Sequence, residues 1–100
     1  MNIKIYQLNE ENSQWLFCSS TVLENAMHKP SLEDYDLVYE YDTEKQPVDM
    51  KYLDSIYAKF NYNRPEDFMG HSLSIGDLIA IDDDQYWFVD SFGFTNFENL

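Results

Sequence analysis

Apolar and polar side chains begin to alternate at the second residue. In "NIKIYQL", Ile3, Ile5 and a following aromatic-aliphatic pair are interleaved with polar residues, the period of a half-buried strand. "QWLFCS" reads as a second, more buried strand. Thr21 and Glu24 then have capping-box spacing for a helix start, with Val22, Leu23, Ala26 and Met27 on one face and Pro30 closing the helix. In "DYDLVYEYD", alternation sends Leu37, Tyr39 and Tyr41 one way and Asp36, Val38, Glu40 and Asp42 the other, so this strand is predicted to carry an acidic face.

"EKQPV" is a loop, and Asp49 is placed to cap a second helix in which Met50, Leu53, Ile56, Tyr57 and Phe60 recur at helical spacing. "NYNRPEDFMGHS" follows as a long structured connection, where Pro65 biases Arg64 away from the helical region and Gly70 supplies a tight turn. "SIGDLIAI", "QYWFVD" and "FGFTNF" predict a meander of three antiparallel strands, with Asp82, Asp83 and Asp84 at its first bend. The expected fold is one α+β domain over residues 1–100, an antiparallel sheet of five to six strands with two main helices packed on one face. Its expected core holds Leu53, Ile56, Phe60, Leu78, Ile79, Trp87 and Val89.

At 100 residues the chain suits a single domain, and 44% hydrophobic with 17% aromatic residues excludes a disordered acidic tail. Nineteen acids against six bases give a net charge of −13. That field disfavours direct binding to nucleic acid or to anionic lipid, both of which call for clustered Lys and Arg, and points to a basic protein partner. Plain solubility is the bland alternative. No Lys or Arg follows Arg64, so the C-terminal third is purely anionic. Cys18 is the only cysteine, and there is neither a leader-like segment nor an eighteen-residue apolar stretch. The expected setting is cytoplasmic, without membrane attachment, as monomer or homodimer.

For metal chemistry, the Asp82-Asp83-Asp84 run lacks the ligand spacing of a calcium-binding loop, and Cys18, His28 and His71 lack the paired spacing of a zinc site. A weak divalent ion or zinc at any of these stays open, and no cofactor is expected. No strand-turn-helix elbow accompanies Cys18, and three glycines supply no phosphate cradle, so the chain reads as non-enzymatic. What remains is an interaction surface. Side chains on one strand face recur about every 6.6 to 6.8 Å, so Asp36, Glu40 and Asp42 form a candidate row of charges facing a basic groove. Asp82, Asp83 and Asp84 form a second candidate surface at a hairpin tip. Asp90, and Trp87 or Tyr86 as an aromatic anchor, complete the set. The plain reading of both acidic surfaces is a solvated strand face and a solvated turn.

The stretch "NRPEDFMGHSLSIGDLIAI", with "YWFVDSFGF" and the opening "NIKIYQLN", resembles the YodL-like domains of clostridial, enterococcal and streptococcal mobile elements. The specific parts are Pro65-Glu66-Asp67, Gly70 with Ser72-Leu73-Ser74, Gly76-Asp77, and Asp90-Ser91-Phe92-Gly93-Phe94; residues 20–48 carry no such motif. The resemblance implies a small accessory domain of conjugative elements, whose namesake is associated with the cell-shape cytoskeleton, and it carries over no catalytic residues. Gly70, Gly76 and Gly93 suit turns, and Phe92 and Phe94 suit a core. In character rather than in motif, the chain is similar to small acidic anti-CRISPR proteins, several of which occupy the basic DNA-binding surfaces of a type II effector nuclease. The expected function is therefore a non-enzymatic inhibitor of such a nuclease. The alternative is an interaction module for a cytoskeletal or conjugation protein.

Overall fold

The computed structural model describes every residue except Asn99. Its framework is one antiparallel sheet of β1 (Asn2–Leu8), β2 (Tyr35–Asp42), β3 (Leu78–Ile81), β4 (Gln85–Val89) and β5 (Phe94–Phe97), in the order β2-β1-β3-β4-β5. The C-terminal meander has the predicted form, and β1 is an inner strand between β2 and β3. Two helices accompany the sheet, α1 (Ser20–Asn25) and α2 (Met50–Tyr62), with 3-10 turns at Glu10–Trp15 and Leu32–Asp34. Among the described residues no helix is long and apolar enough to cross a membrane.

The strand period divides the core. Ile3, Ile5, Ile79, Ile81 and Val89 project to one face, where Leu53, Ile56 and Phe60 of α2 cover them. The helix starts where Asp49 Oδ1 accepts a hydrogen bond from the Tyr52 N–H at 2.8 Å, as its sequence predicts. Phe68 and Leu73 of the irregular connection close this layer, and Phe68 and Tyr39 meet the Phe60 ring edge-on. On the second face Leu78 and Phe88 pack under Leu23 of α1 and Tyr35. The α+β class and the antiparallel sheet are as expected, but α1 and α2 take opposite faces, because Leu23 packs against the side chains that alternate with those facing α2.

"QWLFCS" is not a strand. Its first part ends a 3-10 turn, and Phe17, 66% exposed, adopts a left-handed φ of 63° that breaks any extended run. The cap of α1 is Ser19, accepting from the Val22 N–H, rather than Thr21. The helix also ends early: Met27 takes φ 58° and forms a Schellman motif, with Met27 N–H donating to Glu24 O and His28 N–H to Leu23 O, both at 3.0 Å. Met27 is thus at the helix C-terminus and 93% exposed, not on a buried face.

A β-bulge in the β1–β2 ladder overturns the simple alternation of β2. Tyr39 pairs with Ile5 but Leu37 pairs with Tyr6, leaving Val38 as the extra residue. Beyond it the faces exchange: Tyr39 and Tyr41 face α2, Glu40 and Asp42 face the second side with Lys4 and Asn2, and Asp36 shares the α2 side with Gln7 while Leu37 does not. Trp87, expected in the core, is half-buried at the margin of the α2-side cluster.

The α2-facing row of β1 ends not in an aliphatic residue but in Gln7, which is 3% exposed. Its amide is satisfied by the connection: Nε2 donates to His71 O at 2.8 Å and to Asp77 Oδ2 at 3.2 Å, and Oε1 accepts from the His71 N–H at 3.1 Å. Gly70 is required here, since a Cβ on it would sit 2.5 Å from Gln7 Oε1. Asp77 is wholly buried; its Oδ2 also accepts from the Ser74 N–H at 2.9 Å and lies 4.0 Å from His71 Nδ1, while Oδ1 has no partner. Burial pushes this carboxyl up to about 7, against the opposing pull of Ser74, His71 and Gln7. The folded state therefore keeps a proton that the unfolded chain releases, so the stabilisation is fully present below about pH 4 and is lost as pH rises through 7. The unfolding free energy is expected to fall across that window by at most about 1.4 kcal/mol per pH unit from this group, and the melting temperature to fall with it. In Asp77→Asn, thermal unfolding across the same pH series is expected to show a visibly flatter decline.

Candidate acidic interface

The register brings the two acidic surfaces together. Glu40 and Asp42 stand opposite Lys4 and Asn2 on β1, whose other neighbour β3 runs directly into the Asp82-Asp83-Asp84 turn. Asn2 is the joint: its N–H donates to Asp82 Oδ1 at 2.7 Å, and its Nδ2 donates to Glu40 Oε2 at 2.9 Å and to Asp42 Oδ1 at 3.2 Å. The Asp82 N–H returns a bond to Asn2 O at 2.8 Å. Lys4 Nζ donates to both oxygens of Asp83, at 2.8 and 3.0 Å, and this bond is the main reason its ammonium is held above its ordinary range. Asn2 and Lys4 thus gather Glu40, Asp42, Asp82 and Asp83, with Asp84 next in the same turn, and all five carboxylates are exposed.

The turn that delivers three of these has a demanding backbone. Asp82 and Asp83 take φ 54° and 56°, a left-handed conformation that Asp tolerates better than most residues, and the Asp84 N–H closes the bend on Ile81 O at 3.1 Å. Asp84 makes no side-chain hydrogen bond among the described residues.

The other predicted members lie elsewhere. Asp36 is exposed but on the α2 side, separated from Glu40 and Asp42 by the bulge. Trp87 also faces the α2 side, its Nε1 donating to Gln85 Oε1 at 3.2 Å. Tyr86 is the aromatic on the interface side, pairing with Ala80, with its hydroxyl 3.4 Å from Asp83 O. Asp90 is at the far end of β4 and is engaged in structure. It accepts from the Ser20 N–H and hydroxyl, from Thr95 Oγ1 at 2.6 Å and from the Ser91 N–H. Although burial alone raises its pKa, the hydrogen bonds from Ser20, Thr95 and Ser91 outweigh it and hold the carboxyl below its ordinary value. It therefore ties α1 to the β4–β5 bend rather than presenting charge. Asn2 and Lys4 are the platform residues that strand alternation alone does not single out; polar positions of β1 become neighbours of Glu40 and Asp42 only once the register is known.

Among the described residues no three His, Cys, Asp or Glu side chains are grouped as ligands to one ion. Cys18 is a half-buried free thiol against the second-face core, His28 stacks on Trp15 with ring centroids 4.1 Å apart, and His71 belongs to the Gln7 network.

The geometry defines a small α+β domain with an acidic platform on one half of its sheet. The family model of the YodL-like domain matches residues 2–99, and the chain belongs to that family. Comparison with curated proteins and with solved structures finds no match.

Charge and backbone demands at the turn are separable. Asp83→Asn keeps a residue type that tolerates φ 56° and loses only an exposed ion pair, so urea denaturation is expected to shift by no more than about 1 kcal/mol. Asp83→Val places a β-branched residue there and is expected to cost a further ~1–2 kcal/mol.

Proposed function

We propose that this protein is a non-enzymatic acidic inhibitor that docks on the basic surface of a nucleic-acid-handling protein, in its most specific form a type II CRISPR effector nuclease whose DNA binding it blocks. The observation that carries the reading is the joining of Glu40 and Asp42 of one strand to Asp82 of a distant turn through Asn2, with Asp83 of that turn held by Lys4 beside them. A surface of this kind repels phosphate and attracts the Lys and Arg side chains that line nucleic-acid channels. Carboxylates fixed at strand spacing compete with a phosphate backbone without base pairing or chemistry. Tyr86 at the margin offers a partly apolar contact of the sort that anchors an interface. Membership of the YodL-like family supports the rival reading, a module acting on a cytoskeletal or conjugation protein.

Binding of labelled target DNA by a purified type II effector nuclease, measured with increasing amounts of this protein, tests the proposal directly. Stoichiometric loss of DNA binding is expected. Asp82→Asn, Asp83→Asn and Asp84→Asn together are expected to slow association and flatten its salt dependence while the unfolding midpoint stays near that of the parent. Undiminished DNA binding, with recovery of a filament protein from host lysate, would reject the inhibitor in favour of the rival reading.

A further inference from the structure

Among the described residues both outer strands of the sheet have free edges, and they are treated differently. β2 is guarded by Asp36, Glu40 and Asp42 and kinked by its bulge, devices that keep an edge from recruiting another chain. β5, Phe94–Phe97, carries no charged residue and no bulge. Its outward groups can be assigned. The Val89 N–H donates to Asp77 O and Val89 O accepts from the Gly76 N–H, so Val89 turns its polar groups away from β5. By alternation Phe88 and Tyr86 face β5, pairing with Thr95 and Phe97, which leaves the N–H and C=O of Phe94 and Asn96 pointing outward. Neither residue makes a further backbone bond among the described residues.

Beside this edge, on the second face, a mainly apolar groove of about 460 Å³ runs between α1 and β5, with Leu23, Met27, Pro30, Thr95 and Phe97 in its walls and Glu24 and Lys29 as its charged lining residues. Met27 is the telling residue. The position that closes a Schellman motif is most often glycine, because the left-handed conformation costs any residue with a Cβ. Methionine occupies it at φ 58° and 93% exposed, so neither backbone ease nor core packing accounts for the side chain. Its place is in the wall of the groove.

We infer that the β5 edge and this groove accept an extended segment of the partner as a sixth strand, the segment bearing a large apolar residue that enters the groove and basic residues that flank it. The basic character rests on the reading given under Proposed function and on two observations here. Phe97, in the groove wall, heads a row of cross-strand neighbours, Phe97, Tyr86, Ala80, Lys4 and Glu40, that crosses all five strands on one face, so groove and acidic platform are continuous. A second copy of this chain would meet the edge with a net charge of −13 of its own, whereas a basic segment is attracted to it. Backbone hydrogen bonds to Phe94 and Asn96 would give affinity, and the groove would select the alternate side chain.

The test uses the whole protein and a short synthetic peptide of alternating valine and threonine with a central leucine and a lysine at each end. Peptide binding is expected to protect the Phe94 and Asn96 amides from hydrogen exchange. Two prolines in the peptide, which remove ladder donors, are expected to abolish that protection. Met27→Gly is expected to leave the melting temperature unchanged or higher while weakening peptide binding about tenfold, the equivalent of about 1.4 kcal/mol. Unaltered affinity in Met27→Gly, or exchange effects confined to Asn2, Lys4 and Asp83, would overturn the inference. Protection of Phe94 and Asn96 that grows with protein concentration in the absence of peptide would overturn it too, by assigning the edge to self-association. A glutamate-ended peptide that binds as well as the lysine-ended one, with the same protection, would support the edge as a strand acceptor while removing the basic partner on which the proposed function rests.

Discussion

A buried amide fixes this molecule. Gln7 closes the α2-facing row of the inner strand β1 at a position where an aliphatic side chain would leave the 63–77 connection with unanswered backbone groups. By bonding both the N–H and the C=O of His71 together with the carboxyl group of Asp77, it holds an irregular fifteen-residue segment against the sheet. Phe68 and Leu73 enter the core from that segment, and Asp77 sits immediately before β3. The β1–β3 register that follows is what sets Asp82 opposite Asn2. A slip of one residue would turn Leu78 and Ala80 toward α2 and separate the turn from Glu40 and Asp42. The acidic platform is in this sense a consequence of a polar contact at the other end of the strands.

Elements that depend on local pattern were legible before any coordinates. Asp49 and the spacing of Leu53, Ile56 and Phe60 specify α2, because cap and apolar face lie within one segment. The meander and its aspartate bend follow from apolar runs separated by turn residues. What escaped is what depends on pairing. Nothing within "DYDLVYEYD" marks Val38 as an added residue; the bulge exists because Tyr39 must meet Ile5 while Leu37 meets Tyr6. "QWLFCS" has strand-forming residues, but its place between β1 and a helix over the opposite face demands a reversal, which the left-handed Phe17 supplies. Of the candidate site, the five carboxylates were readable as two separate surfaces, and their union through Asn2 was not, since it joins residues 38, 40 and 80 positions apart.

The acids of this chain are not one population. Asp77 is buried and held toward its neutral form, and Asp90 is tied by four donors. Both belong to the segments that carry the family resemblance, together with Gly70, whose missing Cβ makes room for Gln7. At these positions the segments describe how the domain is built, whereas Phe92, expected in a core, is 95% exposed. Glu40, Asp42 and Asp82 to Asp84 stay at the surface, where they repel one another at a cost to stability and contribute nothing to the core. A protein selected only for solubility gains as much from dispersed carboxylates as from gathered ones, so solubility alone does not account for their gathering.

On the proposed function, Lys4 indicates what a ligand of the platform would look like. It is the single cation on the platform, and it already forms with Asp83 the contact that a partner's lysine or arginine would make. An exposed pair of this kind holds its members weakly, so an arriving cation can displace it at little cost, and an arginine fork can bond both oxygens of a carboxylate that Lys4 meets as a point charge. The strained Asp82 and Asp83 backbone keeps these carboxylates beside Asn2 before any partner arrives, which removes ordering from the cost of association. Attraction of the proposed basic partner would then act at a distance through the field and at contact through geometry already in place. The row that runs from Glu40 through Lys4 and Ala80 to Tyr86 and Phe97 passes from charge to aromatic surface. A basic partner of the proposed kind would therefore find apolar surface at the end of the same row.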